Sequence, residues 1–313
     1  MARKKRGRPV NGWLVVDKPE GMTSTQVVGK VRWLFQAEKA GHGGTLDPIA
    51  TGILPIALGE ATKTVSFAMD GTKCYRFRAR WGEERNTDDR AGEVVDTRER
   101  RPETAAIEAT LPNFVGEILQ IPPQFSAIKL AGERAYDLAR AGEVLDLEAR
   151  SVRVDRLTLV GQPDSDHADF EVVCGKGTYM RSLARDIGRA LGCLGHVAEL
   201  RRLAVGRFNL ERAISLDELA ALGQGAVLDS CLLPIETALD DIPALALTVE
   251  EAYRLRQGQT VTLLRRQDFE RLEKLVEESA GGDFMLLATA ARRPVALCRL
   301  EGAEIRPVRV INI

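Results

Sequence analysis

One stretch of this sequence limits the backbone more than any other, and it runs from Gly41 to Lys63 as GHGGTLDPIATGILPIALGEATK. Its glycines and Pro48 do not fit one continuous helix or one smooth strand. Among these small, apolar and turn-forming residues lies Asp47. A carboxylate on a stiff loop is oriented for nucleophilic or base chemistry. A structural interpretation is also open, in which Asp47 caps a helix that begins near Pro48.

The length and composition are typical of a soluble globular protein with two domains. The chain has 313 residues, of which 44% are hydrophobic and 28% are charged. No apolar run of about 18 residues is present, and no apolar stretch follows the basic N-terminus, so we expect neither a membrane span nor a secretory signal. The five cysteines and three histidines are scattered. We therefore expect a cytoplasmic protein with free thiols and no metal site.

The charge distribution allows a nucleic-acid partner although the net charge is −1. Residues 1–40 carry nine Lys and Arg against three acids, and residues 173–213 carry eight against three. RNA binding depends on local neutralisation of phosphates, so a basic face is sufficient. The alternative is that these segments are solvated surfaces and that the basic tail is disordered, and for the tail alone this alternative and RNA contact fit equally well.

Hydrophobic periodicity predicts a mixture of helices and strands over the first 192 residues. Thr23 or Ser24 is expected to cap a helix with an apolar face. Residues 74–81 alternate strictly, with arginines on one face, which indicates a strand with a basic face. The other predicted elements are a strand at residues 13–16, strands at 151–160 and 169–174 around a polar loop, and a helix at about 179–191.

A domain boundary is predicted near residues 235–248, where acids and prolines cluster in PIETALDDIPAL. Beyond it we expect a helix at residues 248–257, a strand, and a charged helix at about 268–279. Two further strands, FMLLATA and RPVALCRLEG, are expected before the terminal RPVRVINI.

The stretch from Gly41 to Lys63 resembles the catalytic motif of the TruB family of tRNA pseudouridine synthases. It shares the core G-H-x-G-x-L-D-P-x-A-x-G and the trailing L-G-x-A-T-K. Further segments resemble this family in the expected order, over about residues 13 to 210: VVDKPEGMTS, KCYRFRARWG, PPQFSAIKLAGERAYDLARAGE, GTYMRSLARDIG and HVAELRRLAVGRF.

The resemblance implies an α+β fold, with a central, mainly antiparallel sheet flanked by helices and a small PUA-like β-domain at the C-terminus. Residues 1–9 are then a basic arm, and residues 10–240 are the catalytic domain. An RNA-binding insertion is implied at about residues 122–150. Residues 249–313 correspond to the PUA-like domain.

The resemblance also implies that Asp47 is the catalytic residue. The family's reaction breaks the N1–C1′ bond of uridine, turns the uracil and rejoins it through C5, so no cofactor is needed. Two accounts of the aspartate are open, attack on C1′ and removal of the 2′ proton, and both need an ionised carboxylate. Arg181, in GTYMRSLARDIG, matches the family's partner for the aspartate, although it also fits a basic stripe on a helix.

Three more residues match active-site positions of the family. Tyr75 is expected to stack on the flipped uracil, although core packing is the alternative for a tyrosine on a strand. Tyr179 is expected to bond to the partner arginine or to the substrate. His42 is expected to occupy space in the RNA loop when the base is extruded, whereas a lone histidine is more often structural.

Two further residues match positions of the family near the site. Lys18, in the DKP motif, matches a lysine that supports the catalytic loop. Leu200, in HVAELRRL, is expected to help line the uracil pocket, with Arg201 and Arg202 pointing at phosphates or acids.

The predicted function is the conversion of uridine 55 to pseudouridine in the T loop of tRNAs by a monomer acting alone. The partner is then the T arm of tRNA, with no metal and no membrane. The Gly-Gly-Thr form of the motif, GHGGTLDP, also occurs in guide-RNA-dependent relatives, so a guide-dependent enzyme is one alternative. A protein that mainly binds tRNA and assists its folding is the other.

Overall fold

The computed structural model describes residues 7–126, 128–130, 133, 134, 145–263, 266, 270 and 284–313. The helices are α1 Ser24–Leu34, α2 Val65–Asp70, α3 Thr104–Thr110, α4 Met180–Ala190, α5 Leu216–Ala221 and α6 Val249–Arg256. The first strands are β1 Gly12–Lys18, β2 Ala40–His42, β3 Ala50–Leu58, β4 Lys73–Trp81, β5 Glu83–Arg85, β6 Val94–Thr97, β7 Gly116–Gln120, β8 Lys129–Leu130, β9 Glu133–Arg134 and β10 Arg150–Asp164. The later strands are β11 His167–Cys174, β12 Gly195–Val205, β13 Phe208–Asn209, β14 Ile214–Ser215, β15 Ala244–Ala246, β16 Val261–Thr262, β17 Phe284–Ala290, β18 Arg293–Glu301 and β19 Glu304–Val310.

A ten-stranded sheet forms the centre of the molecule. Eight of its strands follow the order β14-β1-β3-β12-β4-β11-β10-β7, and β2 and β13 pair with β3 and β12 at its margins. Two pairs, β1 with β14 and β3 with β12, are parallel, and the other pairs of this sheet are antiparallel. The predicted α+β class with a mainly antiparallel central sheet is confirmed.

Helix α1 forms where the cap and the apolar spacing predict it. The Thr23 side chain accepts a hydrogen bond from the Gln26 backbone, and the Gln26 side chain accepts one from the Thr23 backbone, which completes a capping box. Val27, Val31 and Leu34 lie on the buried side, against the sheet. Thr23 rather than Ser24 is therefore the cap.

Strand β4 runs through the middle of the sheet and shows the predicted alternation. Phe77, Ala79 and Trp81 are buried on one face. On the other face each arginine is paired with an acid: Arg76 with Glu171, Arg78 with Asp169 and Glu199, and Arg80 with Glu83. The prediction of a basic face was wrong in this respect, because acids from neighbouring strands balance its charge.

The β10–β11 hairpin differs from its prediction. The polar segment GQPDSDHAD was expected to be a loop, yet β10 continues to Asp164 and β11 begins at His167. Asp164 accepts hydrogen bonds from the Asp166 backbone and lies 2.9 Å from the His167 imidazole. These side-chain contacts stabilise a short turn between Asp164 and His167, which the hydrophobic pattern of the sequence does not predict.

A second sheet of five strands lies at the C-terminus, in the order β15-β17-β18-β19-β16. Its first strand, β15, lies within the predicted boundary region of residues 235–248 and pairs in parallel with β17. Trp13 and Leu297 belong to one apolar cluster that joins this sheet to the central one. The charged helix predicted at about 268–279 lies outside the described residues, Glu270 excepted.

Parts of two other predicted segments are described. Of the basic arm, residues 7–9 are seen, and Arg8 pairs with Asp229 at 2.7 Å. Of the insertion at 122–150, residues 127, 131, 132 and 135–144 lie outside the described residues, and β8 pairs with β9 in the remainder. No described helix is long and apolar enough to cross a bilayer.

Candidate active site

A cavity of about 280 Å³ opens between the loop after β2, strand β4 and the start of α4. Six residues singled out in the sequence line it: Asp47, Tyr75, Tyr179, Arg181, Leu200 and Arg202. These residues are far apart in the chain, and the sheet brings them together. Three others, Lys18, His42 and Arg201, do not line this cavity.

Asp47 lies on an irregular loop that leads directly into β3. Pro48 and Ile49 form a turn, in which the Ala50 backbone donates a hydrogen bond to the Asp47 carbonyl at 3.1 Å. The interpretation of Asp47 as a helix cap was therefore wrong, since the residues after Pro48 form a strand. Its side chain is 36% exposed, so the carboxylate remains accessible from the cavity.

Arg181, in the first turn of α4, holds the Asp47 carboxylate. Its Nε lies 2.9 Å from Asp47 Oδ2. Its two terminal nitrogens donate to the carbonyls of Thr87 at 3.1 Å and Phe125 at 2.9 Å. Asp89 lies farther away, at 3.8 Å. With a side chain only 6% exposed, Arg181 is fixed in one orientation, and it orients the carboxylate in turn.

Two tyrosines face the same cavity from different elements. Tyr75 projects from β4, and Tyr179 precedes the first residue of α4. The Gln120 side chain holds the Tyr179 backbone through two hydrogen bonds, at 2.8 and 3.1 Å. Burial raises the pKa of both phenols, so both are protonated at neutral pH. Each ring can therefore present a neutral hydroxyl to a ligand.

Lys18 lies behind the loop and is buried. Its ammonium group donates to the carbonyls of Pro19 at 2.8 Å, Met22 at 2.7 Å and Pro48 at 3.4 Å. Burial lowers its pKa to about 8, although the nearby Asp47 carboxylate opposes that shift. The Pro48 contact ties Lys18 to the residue immediately after Asp47.

His42 lies on β2, two residues before Gly44. Burial, and then the charge of Arg202, lower the pKa of its imidazole, so the ring is neutral at pH 7. Its Nδ1 is buried without a hydrogen-bond partner in the part of the chain that the structure describes. His42 thus lies at the end of the strand that leads into the Asp47 loop, and it does not line the cavity.

Arg202 is the residue whose contacts the sequence did not predict. It is 1% exposed, and its guanidinium donates to the carbonyls of Ile53 at 2.7 Å, Gly44 at 3.0 Å and Thr45 at 3.3 Å. It was expected to point at phosphates or acids, and instead it binds the backbone on both sides of Asp47. Its neighbour Arg201 does pair with an acid, Asp17, at 2.6 Å.

Replacing Arg202 with Met is expected to lower the free energy of unfolding by about 3 kcal/mol, because buried carbonyls lose a charged donor. Urea denaturation measures this change. Arg207→Met is the matched control, because the Arg207 side chain is 61% exposed, and a loss below about 0.5 kcal/mol is expected there. Equal losses in the two variants would contradict the role of Arg202 in holding the loop.

Comparison with known proteins places this site in a family. The model of the TruB family pseudouridylate synthase N-terminal domain matches residues 32–180, and that of the tRNA pseudouridylate synthase B C-terminal domain matches residues 181–240. The chain belongs to the TruB family of pseudouridylate synthases. Asp47, Tyr75 and Tyr179 all fall within the segment matched by the N-terminal model, and Arg181 is the first residue matched by the C-terminal model.

Relatives in the TruB family match the chain from end to end. The tRNA pseudouridine synthase B of Caulobacter vibrioides is 53% identical over 313 residues, which is all of both chains. That of Gluconacetobacter diazotrophicus is 55% identical and covers 99% of this chain and 100% of its own. The chain is accordingly a pseudouridine synthase.

Solved structures show the same fold at lower identity. The archaeal box H/ACA Nop10–Cbf5 complex matches with a TM-score of 0.71 and 22% identity, over 100% of this chain and 93% of the other. A Cbf5–Nop10–Gar1 complex matches with a TM-score of 0.72 and 23% identity, over 100% and 91%. The central sheet and the C-terminal sheet of this TruB-family chain are thus parts of one known architecture.

Proposed function

We propose that this chain converts uridine 55 of tRNA to pseudouridine in the T loop, acting without a guide RNA. The single observation that carries the proposal is the Asp47–Arg181 ion pair at the wall of the cavity, 2.9 Å between Nε and Oδ2. The tRNA substrate is supported by relatives of equal length that are named tRNA pseudouridine synthase B.

The reaction rearranges the bonds of one nucleoside. The N1–C1′ bond breaks, the uracil turns, a C5–C1′ bond forms, and the proton on C5 is lost while N1 gains one. Asp47 acts on the ribose, as a nucleophile at C1′ or as a base at C2′. In either role the carboxylate must point at the sugar, and Arg181 fixes its direction. Tyr75 and Leu200 then line the space for the uracil.

The target nucleotide must leave its stack before the reaction. Asp47 lies within a cavity rather than on a convex surface, so a base that is stacked in an RNA loop does not reach it. We propose that the uridine flips into this cavity and that the Tyr75 ring stacks on the uracil, worth about 1–3 kcal/mol. We also propose that His42, on the strand that leads into the Asp47 loop, occupies the space that the extruded base leaves in the RNA loop.

Release of tritium from a tRNA transcript labelled with 5-tritiated uridine tests the proposal. We expect the purified protein alone to release tritium from unmodified transcript. A control transcript has cytidine in place of uridine 55 and carries the same label at its other uridines, and we expect it to release none. Tight binding of tRNA without release would favour a folding assistant. Release only after a small RNA is added would favour guide-dependent action.

A further inference from the structure

Helix α4 carries three arginines at intervals of four residues, and only the first belongs to the site already described. The second, Arg185, is 6% exposed and almost as deeply buried as Arg181. The third, Arg189, pairs with Glu84 near the surface, with a side chain 49% exposed. Burial of a second arginine is costly unless its charge and donors are satisfied, so its partners indicate what it stabilises.

Arg185 binds the same two segments that hold Arg181. Its Nη1 donates to Asp88 Oδ2 at 2.8 Å, and Asp88 directly follows Thr87, whose carbonyl accepts from Arg181. Its Nη2 donates to the Ile121 carbonyl at 2.9 Å, four residues before Phe125, the other carbonyl that accepts from Arg181.

Additional contacts lock this arrangement. The Ser182 hydroxyl also donates to the Ile121 carbonyl, at 2.8 Å. Arg185 Nε pairs with Asp186 Oδ1 at 2.8 Å, so the guanidinium also has a partner on its own helix. These contacts leave Arg185 little freedom of its own, and the two segments that it binds are therefore fixed relative to α4.

Asp88 has an unusual backbone for a residue with a side chain. Its φ is 59°, in the left-handed region that favours glycine. Its amide donates to the Arg85 carbonyl at 3.0 Å, and its carbonyl accepts from Val197 at 3.0 Å. A residue with a side chain keeps this backbone conformation only where several tertiary contacts hold it in place. The ion pair with Arg185 is one of those contacts, and it acts one residue away from the Thr87 carbonyl.

We propose that the Arg185–Asp88 ion pair is a positioning pair for the reaction: it sets the two segments whose carbonyls hold Arg181, and through Arg181 it sets the direction of the Asp47 carboxylate. This inference rests on the proposed function, because it assigns an effect on the same step. Neither residue lines the cavity, so both act without touching the substrate.

The test is Asp88→Asn, which keeps the shape of the side chain and removes its charge. Burial raises the pKa of Asp88 to about 6, so an assay at pH 8 compares the variant with the ionised wild type. We expect the single-turnover rate at saturating enzyme to fall by ~10-fold to ~100-fold through misplacement, while the KM and the Kd for tRNA change less than twofold. The matched control is Glu84→Gln. Glu84 pairs with Arg189, which lies one helical turn beyond Arg185, and this variant should keep its rate within twofold.

A second comparison separates positioning from general stability. In an Arg181→Lys background, Asp88→Asn should lower the rate less than twofold, because the group that it positions is already lost. An unchanged rate in folded Asp88→Asn, or rate losses that multiply in the double variant, would overturn the proposal. If Asp88→Asn does not fold, as judged by circular dichroism, Arg185→Lys replaces it, since it keeps a cation beside Asp88 and loses the reach to Ile121. Absence of tritium release by the wild type would instead refute the proposed function.

Discussion

Asp47→Asn is expected to abolish turnover, with a single-turnover rate lower by ~10³-fold or more, because an amide is neither a nucleophile nor a base at neutral pH. The substitution keeps the size and shape of the side chain. Arg181 retains its bonds to the carbonyls of Thr87 and Phe125, so the wall of the cavity should keep its form. Tritium release from labelled tRNA transcript at saturating enzyme measures the rate.

The affinity of the same variant for tRNA is the control. Binding of RNA draws mostly on phosphate contacts spread over a surface, and one carboxylate adds little, so the Kd should stay within about tenfold of wild type. Asp17→Asn removes a carboxylate that pairs with Arg201 instead, at 2.6 Å, and should leave measurable turnover. Substantial activity in Asp47→Asn would contradict the assignment of the reaction to this residue.

Much of the fold was predictable because its signals are local. The cap at Thr23 and the apolar spacing of α1 lie within a dozen residues, and the structure shows that helix at Ser24–Leu34. The alternation in β4 needs only nine residues. The helix that carries Arg181 was expected at about 179–191 and is observed at Met180–Ala190. In each case the burial pattern repeats with the period of the element, so neighbouring residues suffice.

Apart from the Asp47–Arg181 pair, which the family resemblance supplies, the partners of most charged side chains were not predictable, because they lie far apart in the chain. Arg78 forms hydrogen bonds with Asp169, 91 residues away, at 2.6 and 2.9 Å. Arg202 binds the carbonyls of Gly44 and Ile53. Both contacts arise only when β4, β11, β12 and β3 take their places in the sheet. An arginine that binds backbone carbonyls leaves no complementary charge in the sequence by which to recognise it.

At the candidate site, some features could be predicted from the sequence and others are given only by the structure. Family resemblance identifies Asp47 and Arg181, and the structure adds their 2.9 Å contact. Spacing alone leaves Asp47 open to a capping role, since a proline after an aspartate commonly begins a helix. The pairing of the next segment decides between the two roles: residues 50–52 pair with β12 and residues 52–58 with β1, and this pairing makes them a strand. The tertiary pairing of β3 within the sheet therefore determines its structure, and the local helix-starting signal at Pro48 does not.

Arg181→Lys is expected to lower turnover by ~10²-fold or more, although the positive charge is kept, because a small misplacement of a catalytic group is costly. The guanidinium serves three acceptors that lie in different directions: Asp47 Oδ2 at 2.9 Å, Thr87 O at 3.1 Å and Phe125 O at 2.9 Å. A planar fork reaches all three, whereas an ammonium group at the end of a flexible stem does not. The Asp47 carboxylate then loses its fixed direction.

Arg189→Lys is the matched control, since it makes the same exchange two turns along the same helix. The Arg189 side chain is 49% exposed and pairs with Glu84 at 2.7 Å, and an exposed pair of this kind contributes about 0–1 kcal/mol. Its turnover should therefore stay within about twofold of wild type. Similar rates in the two variants would mean that charge near α4, rather than the geometry of the Arg181 fork, supports the reaction. If only Arg181→Lys loses turnover and tRNA binding is retained, the rate depends on the direction in which the Arg181 guanidinium holds the Asp47 carboxylate.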